Sequence, residues 1–161
     1  MILIDTSIQN YYGKQVNSDL DYDKIPPKKS DTVFILGSGA SISQIKRQEW
    51  QHIQEHETVA FNWFLHQSFI PIDFYIVKGV ADNDLRKNTY MPQLLDFGNL
   101  IRLNSKFYRN TLFLLQKGSM ATNTNRLLFH RILPKFCNFR RYFSDTHIKF
   151  NRFRTNRLAS K

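Results

Sequence analysis

Short apolar runs of five or six residues recur along the chain, separated by longer and more polar segments. The runs are Thr32–Leu36, Thr58–Asn62, Ile72–Val77 and Thr111–Gln116, and the aromatic and basic segment Phe139–Phe143 is a candidate fifth strand. The first is apolar or β-branched throughout, which is typical of a strand buried on both faces of a parallel sheet. Strands that alternate with helical segments indicate the α/β class. We therefore expect a three-layer, Rossmann-like sandwich with a mainly parallel sheet of about five strands.

Apolar residues at helical spacing follow the first run and predict a helix that begins at Ser41. The stripe consists of Ile42, Ile45, Trp50 and Ile53. Ser41, with Gln44 three residues later, fits a capping box at the start of this helix. The segment Asn123–Leu133 predicts a further helix, which Pro134 ends.

The segment between residues 78 and 109 is less regular. Asp82 and Asp84 flank an asparagine and suit either a cation or a helix N-cap, and the cap is the simpler interpretation because no downstream carboxylate completes a cage. A helix is expected in the remainder of the segment, with Pro92 and Gly98 interrupting it.

At 161 residues the chain has the size of one domain. We assign residues 1–30 to an N-terminal lead-in, 31–145 to the Rossmann-like domain and 146–161 to a basic C-terminal tail. No apolar run approaches the roughly 20 residues of a membrane span, and the N-terminus lacks the pattern of a secretory signal. The single Cys137 cannot build a disulfide framework, so we expect a buried or incidental thiol and a cytoplasmic location.

Positive charge is concentrated in the second part of the chain. Residues 1–96 carry 12 acidic and nine basic side chains, whereas residues 97–161 carry 14 basic side chains and one acidic one. Between Phe136 and Arg157, aromatic rings alternate with lysine and arginine. This alternation suits single-stranded nucleic acid, whose bases stack on rings, and equally an acidic membrane surface such as the inner face of the membrane. A plain solvated tail is the third interpretation.

Gly37, Ser38 and Gly39 form a small-residue turn between the first predicted strand and the first predicted helix. Backbone N–H groups in such a turn attract phosphate with help from the helix dipole, although a tight turn needs glycine without any ligand. The chain has no P-loop motif, and Ile42 and Asn62 stand where the dinucleotide fingerprint needs a small and an acidic residue. An NAD-dependent dehydrogenase is therefore disfavoured.

Three pieces of sequence occur together between residues 31 and 78. They are the turn G-x-G-x-S with Gly37, Gly39 and Ser41, the pair Asn62 and Trp63, and the motif hydrophobic-Pro-x-Asp-Phe-Tyr with Pro71, Asp73, Phe74 and Tyr75. As a set they resemble the N-terminal half of the bacterial sialyltransferase-like and Kdo-transferase-like glycosyltransferases, which synthesise surface polysaccharide.

The resemblance implies that the protein binds a CMP-activated acidic sugar and transfers it to a glycan acceptor of lipopolysaccharide or capsule. It implies that the glycine turn, with Gly37, Ser38, Gly39 and Ser41, faces the nucleotide phosphate. Asn62 is expected beside the cytidine or the sugar. The CMP-sugar donor is a substrate, so no cofactor is expected.

Topology adds Lys117, Gly118 and Ser119, which follow the fourth predicted strand, as neighbours of the phosphate. The catalytic residues stay unassigned. Enzymes of this family extend beyond this length, so the alternatives are an active transferase and a truncated copy that binds the nucleotide sugar without turnover. A non-enzymatic module that binds nucleic acid through the basic aromatic region, and a remnant that binds nothing, are further alternatives.

His52 and His56 lie one helical turn apart, a spacing that suits a metal on a helix face. The sequence lacks H-E-x-x-H, and a solvated helix face is the simpler interpretation, so no metal site is predicted. His66 and His130 have the chemistry of a general acid or base, with a structural role as the simpler interpretation.

Overall fold

The computed structural model describes residues 6–13, 20–21, 25–67, 69–78, 90–117 and 123–143. These residues contain five strands and five α-helices. The strands are β1 (Val33–Leu36), β2 (Glu57–Phe61), β3 (Phe74–Val77), β4 (Leu112–Lys117) and β5 (Asn138–Phe143). The helices are α1 (Thr6–Tyr12), α2 (Arg47–Gln54), α3 (Tyr90–Leu103), α4 (Ser105–Tyr108) and α5 (Asn123–Phe129), with short 3₁₀ turns at Ala40–Gln44 and Phe64–Gln67.

The five strands form one sheet in the order β1-β2-β3-β4-β5, and every neighbouring pair is parallel. The α/β class and the parallel, Rossmann-like sheet of five strands are thereby confirmed. The order is consecutive, without the reversal that divides a doubly wound sheet into two halves. Because all five strands run parallel, they end at the same edge of the sheet, which we call the C-terminal edge.

The main core lies on one face of the sheet. A row of paired residues crosses all five strands there, and each member is at most 4% exposed. The row consists of Leu36, Ala60, Tyr75, Phe113 and Phe139. Residues of the helices α1, α3 and α4 contact this row through Tyr12, Phe97 and Tyr108. Because parallel crossovers are right-handed, a consecutive strand order places successive crossovers on the same face.

The opposite face is only partly covered within the described residues. Ile35 is 71% exposed and Val33 is 54% exposed, while Val59, Phe74 and Ile76 are half-buried. The expectation that the first strand is buried on both faces was therefore wrong. Its apolar composition reflects β-propensity on an edge strand as much as burial.

Pro92 and Gly98 do not interrupt α3, contrary to the sequence expectation. Pro92 occupies the first turn, where the missing N–H has no partner inside the helix. Gly98 is required by close packing, because a Cβ at this position would lie 2.5 Å from the carbonyl oxygen of Ile132. The helix α5 ends at Phe129, before the predicted Leu133, and Arg131 has a positive φ of 52°.

The helix α1 lies within the segment expected as a lead-in. Its Ile8 and Tyr12 are buried in the core, and the Tyr12 hydroxyl donates a hydrogen bond of 2.7 Å to the carbonyl of Leu133. Residues of this segment therefore help to hold the loop that precedes β5. None of the described helices combines the length and the apolar character needed to cross a membrane.

Candidate functional site

The C-terminal edge of the sheet gathers the residues that follow each strand. Gly37 follows β1, Asn62 follows β2 and Lys78 follows β3, while Lys117 ends β4. In open parallel sheets, ligands bind outside this edge. We therefore treat it as the candidate site.

The glycine turn is in close contact with the neighbouring strand. A Cβ on Gly37 would lie 3.4 Å from the ring of Phe61, whereas the space around Gly39 is open apart from the Ser41 hydroxyl at 3.7 Å. A distance of 3.4 Å is an ordinary van der Waals contact, so packing requires glycine at neither position, and Gly39 has the more open surroundings.

The segment after the turn is not the predicted α-helix from Ser41. Ala40–Gln44 is a 3₁₀ turn, and α2 begins at Arg47 after extended backbone at Ile45. The Glu49 carboxylate accepts a hydrogen bond of 2.6 Å from the backbone N–H of Lys46, so the helix is capped there instead of by Ser41 and Gln44. An anion at the glycine turn would therefore be attracted by the N–H groups of the turn and little by the dipole of α2.

Asn62 occupies the left-handed region, with a φ of 55°, at the point where the chain leaves β2. Asparagine tolerates this conformation better than most residues, which explains its presence at the turn. Its carbonyl accepts a hydrogen bond from the buried Tyr75 hydroxyl. Burial raises the pKa of Tyr75, the nearby Tyr108 adds to the increase, and a hydrogen bond from the Leu65 backbone opposes it. The Tyr75 hydroxyl therefore stays protonated and fixes the position of the Asn62 backbone.

A cavity of about 190 Å³ opens beside Asn62 at the end of β3. Its polar groups come from Asn62, Lys78 and Gln93, and its aromatic walls from Trp63, Tyr75 and Phe97. Ile76, Val77, Leu94 and Leu127 complete the lining. The ring of His66, which is exposed, lies 5.5 Å from that of Trp63. The cavity is smaller than the roughly 300–1,000 Å³ of sites for drug-sized ligands, so it has room for a single ring.

The structure brings together only part of the residue set expected from the sequence. Ser38 and Asn62 follow neighbouring strands, but Lys117 ends β4, three strand spacings or about 14 Å from β1. Gly118 and Ser119 lie outside the described residues, as do Asp82 and Asp84.

Sequence reasoning missed Lys78 and Gln93, which line the cavity. Lys78 directly follows the third apolar run, so the same rule that selected Asn62 and Lys117 would have found it. Gln93 stands in the first half of α3, and only the packing of that helix over the sheet identifies it.

The described part of the basic aromatic region is largely a sheet strand. The predicted fifth strand is confirmed as β5, and its Phe139 is fully buried in the core. The Arg141 guanidinium donates a hydrogen bond of 2.7 Å to the Asn125 side chain. Phe139 is thus unable to stack with a base. The tail at 146–161 lies outside the described residues.

Cys137 is buried, as expected. Burial raises the pKa of this thiol to about 12, with a small opposing effect from Arg102. A neutral thiol without solvent access does not act as a nucleophile.

Comparison of the chain with protein-family models, with curated proteins and with solved structures finds no match.

Proposed function

We propose that the protein is a glycosyltransferase domain that binds a CMP-activated acidic sugar at the C-terminal edge of its sheet and transfers the sugar to a cell-surface glycan. The observation that carries the proposal is the ring-sized cavity bordered by Asn62, Trp63 and Lys78. It lies at the C-terminal edge of the sheet, where α/β proteins hold nucleotides, and the glycine turn follows the neighbouring strand β1 at the same edge.

The chemistry of the lining matches a pyrimidine nucleotide. A cytosine ring stacks on an aromatic wall such as Trp63, and the Asn62 amide offers both a donor and an acceptor to the polar edge of the base. The Lys78 ammonium provides positive charge for the phosphate, and the N–H groups of the glycine turn lie one strand further along the edge.

Transfer of the sugar needs stabilisation of the departing phosphate and a base for the acceptor hydroxyl. Lys78 is the cationic group of the cavity that supplies the first effect. His66, whose ring packs near Trp63, is our candidate for the base. Lys78 and His66 both lie at the edge of the sheet where we propose that the nucleotide binds.

The test is a calorimetric titration of the whole chain with CMP, CMP-sialic acid and CMP-Kdo. We expect Trp63→Ala and Lys78→Gln each to weaken CMP binding about tenfold, because each removes one favourable contact of 1–2 kcal/mol. Asn99→Ala, an exposed substitution on α3, is the control and should leave the affinity unchanged. Absence of CMP binding at millimolar concentration would overturn the proposal.

A second candidate function is binding of single-stranded nucleic acid. The observation in its favour is the pair of cations Arg131 and Lys135, which lie 5.5 and 6.0 Å from the ring of Tyr11. This candidate would be favoured if the protein bound a short oligonucleotide tightly and with steep salt dependence, and if the same preparation did not bind CMP.

A further inference from the structure

Three side chains capable of binding a metal meet at the end of α2, at the opposite edge of the sheet from the cavity. They are His52, Glu55 and His56, and their potential ligand atoms all lie within 4.8 Å of one another. The helix ends at Gln54 and β2 starts at Glu57, so these side chains stand near the N-terminal edge. They share no residue with the proposed nucleotide site.

The geometry is close to that of a metal centre. Nδ1 of His52 lies 3.5 Å from a carboxylate oxygen of Glu55, and the centroids of the two imidazole rings are 4.8 Å apart. Ligand atoms around a tetrahedral zinc ion, with bonds of about 2.0–2.1 Å, are about 3.4 Å apart. The potential ligand atoms, at most 4.8 Å apart, therefore have to approach one another by no more than about 1.4 Å to reach this spacing.

The Ser30 hydroxyl contacts one ring nitrogen of His56. The Ser30 hydroxyl donates to the Thr32 carbonyl at 2.9 Å and accepts from the Thr32 N–H at 3.2 Å. The same hydroxyl lies 2.9 Å from Nδ1 of His56, and the direction of this hydrogen bond depends on the tautomer of the ring. Donation from Nδ1 to Ser30 leaves Nε2 with the lone pair that binds a metal.

The ring of Phe34 packs against both imidazole rings. Its centroid lies 6.2 Å from that of His52 and 5.6 Å from that of His56. A ligand held by a neighbouring ring loses less conformational freedom when it binds a metal. His52 and Glu55 are 64% and 72% exposed, so a metal reaches the site without opening the fold.

We propose that His52, Glu55 and His56 bind a divalent transition metal ion, with zinc as the preferred ion. Two imidazoles and one carboxylate form a ligand set that zinc accepts, and the fourth position stays open to water. A cavity of about 450 Å³, lined by Phe34, Ile45 and Ile53 among others, adjoins the cluster at His52. Ser30 is the positioning residue.

The test is a titration of the tag-free, full-length chain with Zn²⁺ by calorimetry, and with Co²⁺ by visible absorption. We expect one ion per chain, with His52→Ala and His56→Ala each weakening binding at least tenfold. Ser30→Ala keeps every ligand and should weaken binding about tenfold, as the loss of an outer partner does. His66→Ala and His130→Ala are matched controls that should leave the affinity unchanged.

Circular dichroism of each variant without metal shows whether it is folded, and Glu55→Gln provides a variant on the helix surface that leaves the histidines in place. Zinc affinity unchanged in both His52→Ala and His56→Ala, or loss of affinity in the His66 and His130 controls, would overturn the proposal. Because the two sites lie at opposite edges, CMP binding should be the same in His52→Ala as in the unmodified chain. Failure of the CMP titration therefore leaves this prediction standing.

Discussion

The two edges of the sheet differ in how their polar side chains are used. At the N-terminal edge, the Asp73 carboxylate accepts hydrogen bonds from the N–H and the hydroxyl of Thr58 at 3.0 and 2.8 Å and forms an ion pair with Lys29. At the C-terminal edge, the polar groups of Asn62, Lys78 and Gln93 border a cavity. The difference indicates that the hydrogen-bonded group around Asp73 stabilises the fold, whereas the cavity at the second edge has the features of a ligand site.

Removing the Asp73 carboxylate should have the largest effect on stability. Asp73→Ala leaves the N–H and the hydroxyl of Thr58 without their acceptor, and we expect a loss of about 2–4 kcal/mol in the free energy of unfolding. Lys29→Ala is the matched control, because it removes only a partly exposed ion pair and should cost about 0.5 kcal/mol. Urea unfolding measures both, and equal losses would remove the distinction between the carboxylate and its ion pair.

Thr111 tests the same edge with a smaller expected effect. Its hydroxyl is buried and donates a hydrogen bond of 2.6 Å to the Ile72 carbonyl, which joins the segments before β4 and β3. Thr111→Val keeps the shape and should cost about 1–2 kcal/mol in urea unfolding. Ser43→Ala, which removes an exposed hydrogen bond in the 3₁₀ turn, should change stability by less than about 0.5 kcal/mol. A loss of unfolding free energy in Ser43→Ala as large as that in Thr111→Val would contradict a specific stabilising role for the buried Thr111 hydroxyl.

Cys137 directly precedes β5 at the N-terminal edge of the sheet. Its buried thiol makes the stability of the fold sensitive to alkaline pH. Burial raises the pKa of its thiol to about 12, above its ordinary value of 9.0. The stabilisation of the neutral thiol is complete below pH 9 and is lost as the pH rises toward 12, because the unfolded chain ionises first.

We therefore expect the free energy of unfolding to fall with pH above 9 by up to about 1.4 kcal/mol per unit more than in Cys137→Ala. Parallel pH profiles of the two proteins between pH 8 and 11 would show that the thiol does not contribute. Loss of packing in the alanine variant shifts its profile without changing the slope, so the comparison stays valid.

Asn62→Gly should have the smallest effect on stability and a clear effect on binding. Glycine adopts the φ of 55° freely and keeps the carbonyl that accepts from Tyr75, so the free energy of unfolding should change by less than about 0.5 kcal/mol. Loss of the amide should weaken CMP binding about tenfold. A large loss of stability with unchanged CMP affinity would show that Asn62 is only a turn residue.

The strands were predictable from the sequence because runs such as Ile72–Val77 combine β-branched and aromatic residues with clear ends. The start of α2 was not predictable in this way. Ser41 and Gln44 match the pattern of a capping box, but both residues lie in the 3₁₀ turn that precedes the helix. Glycine stands inside α3 at position 98 because Ile132, a residue more than thirty positions away, packs closely against it. Distant packing of this kind leaves no local signal.

The candidate sites were predictable to a lesser extent. Asn62 was found because it follows a strand, but Gln93 reaches the cavity only through the fold. The sequence predicted His52 and His56 as a possible metal-binding pair, which was set aside for lack of H-E-x-x-H, and Glu55 was not included although the three have the order H-x-x-E-H. The contact of Ser30 with His56 joins residues 26 positions apart and could not be read from spacing.

The consecutive strand order has a consequence for how the chain folds. Each strand pairs only with the strands that precede and follow it in sequence, so no pairing has to wait for a distant part of the chain. The sheet can therefore grow one strand at a time, as repeat proteins add units to a stack, and the loop-closure entropy of each step stays small. Such growth favours a folding rate faster than that of a sheet whose central strands come from both ends of the chain.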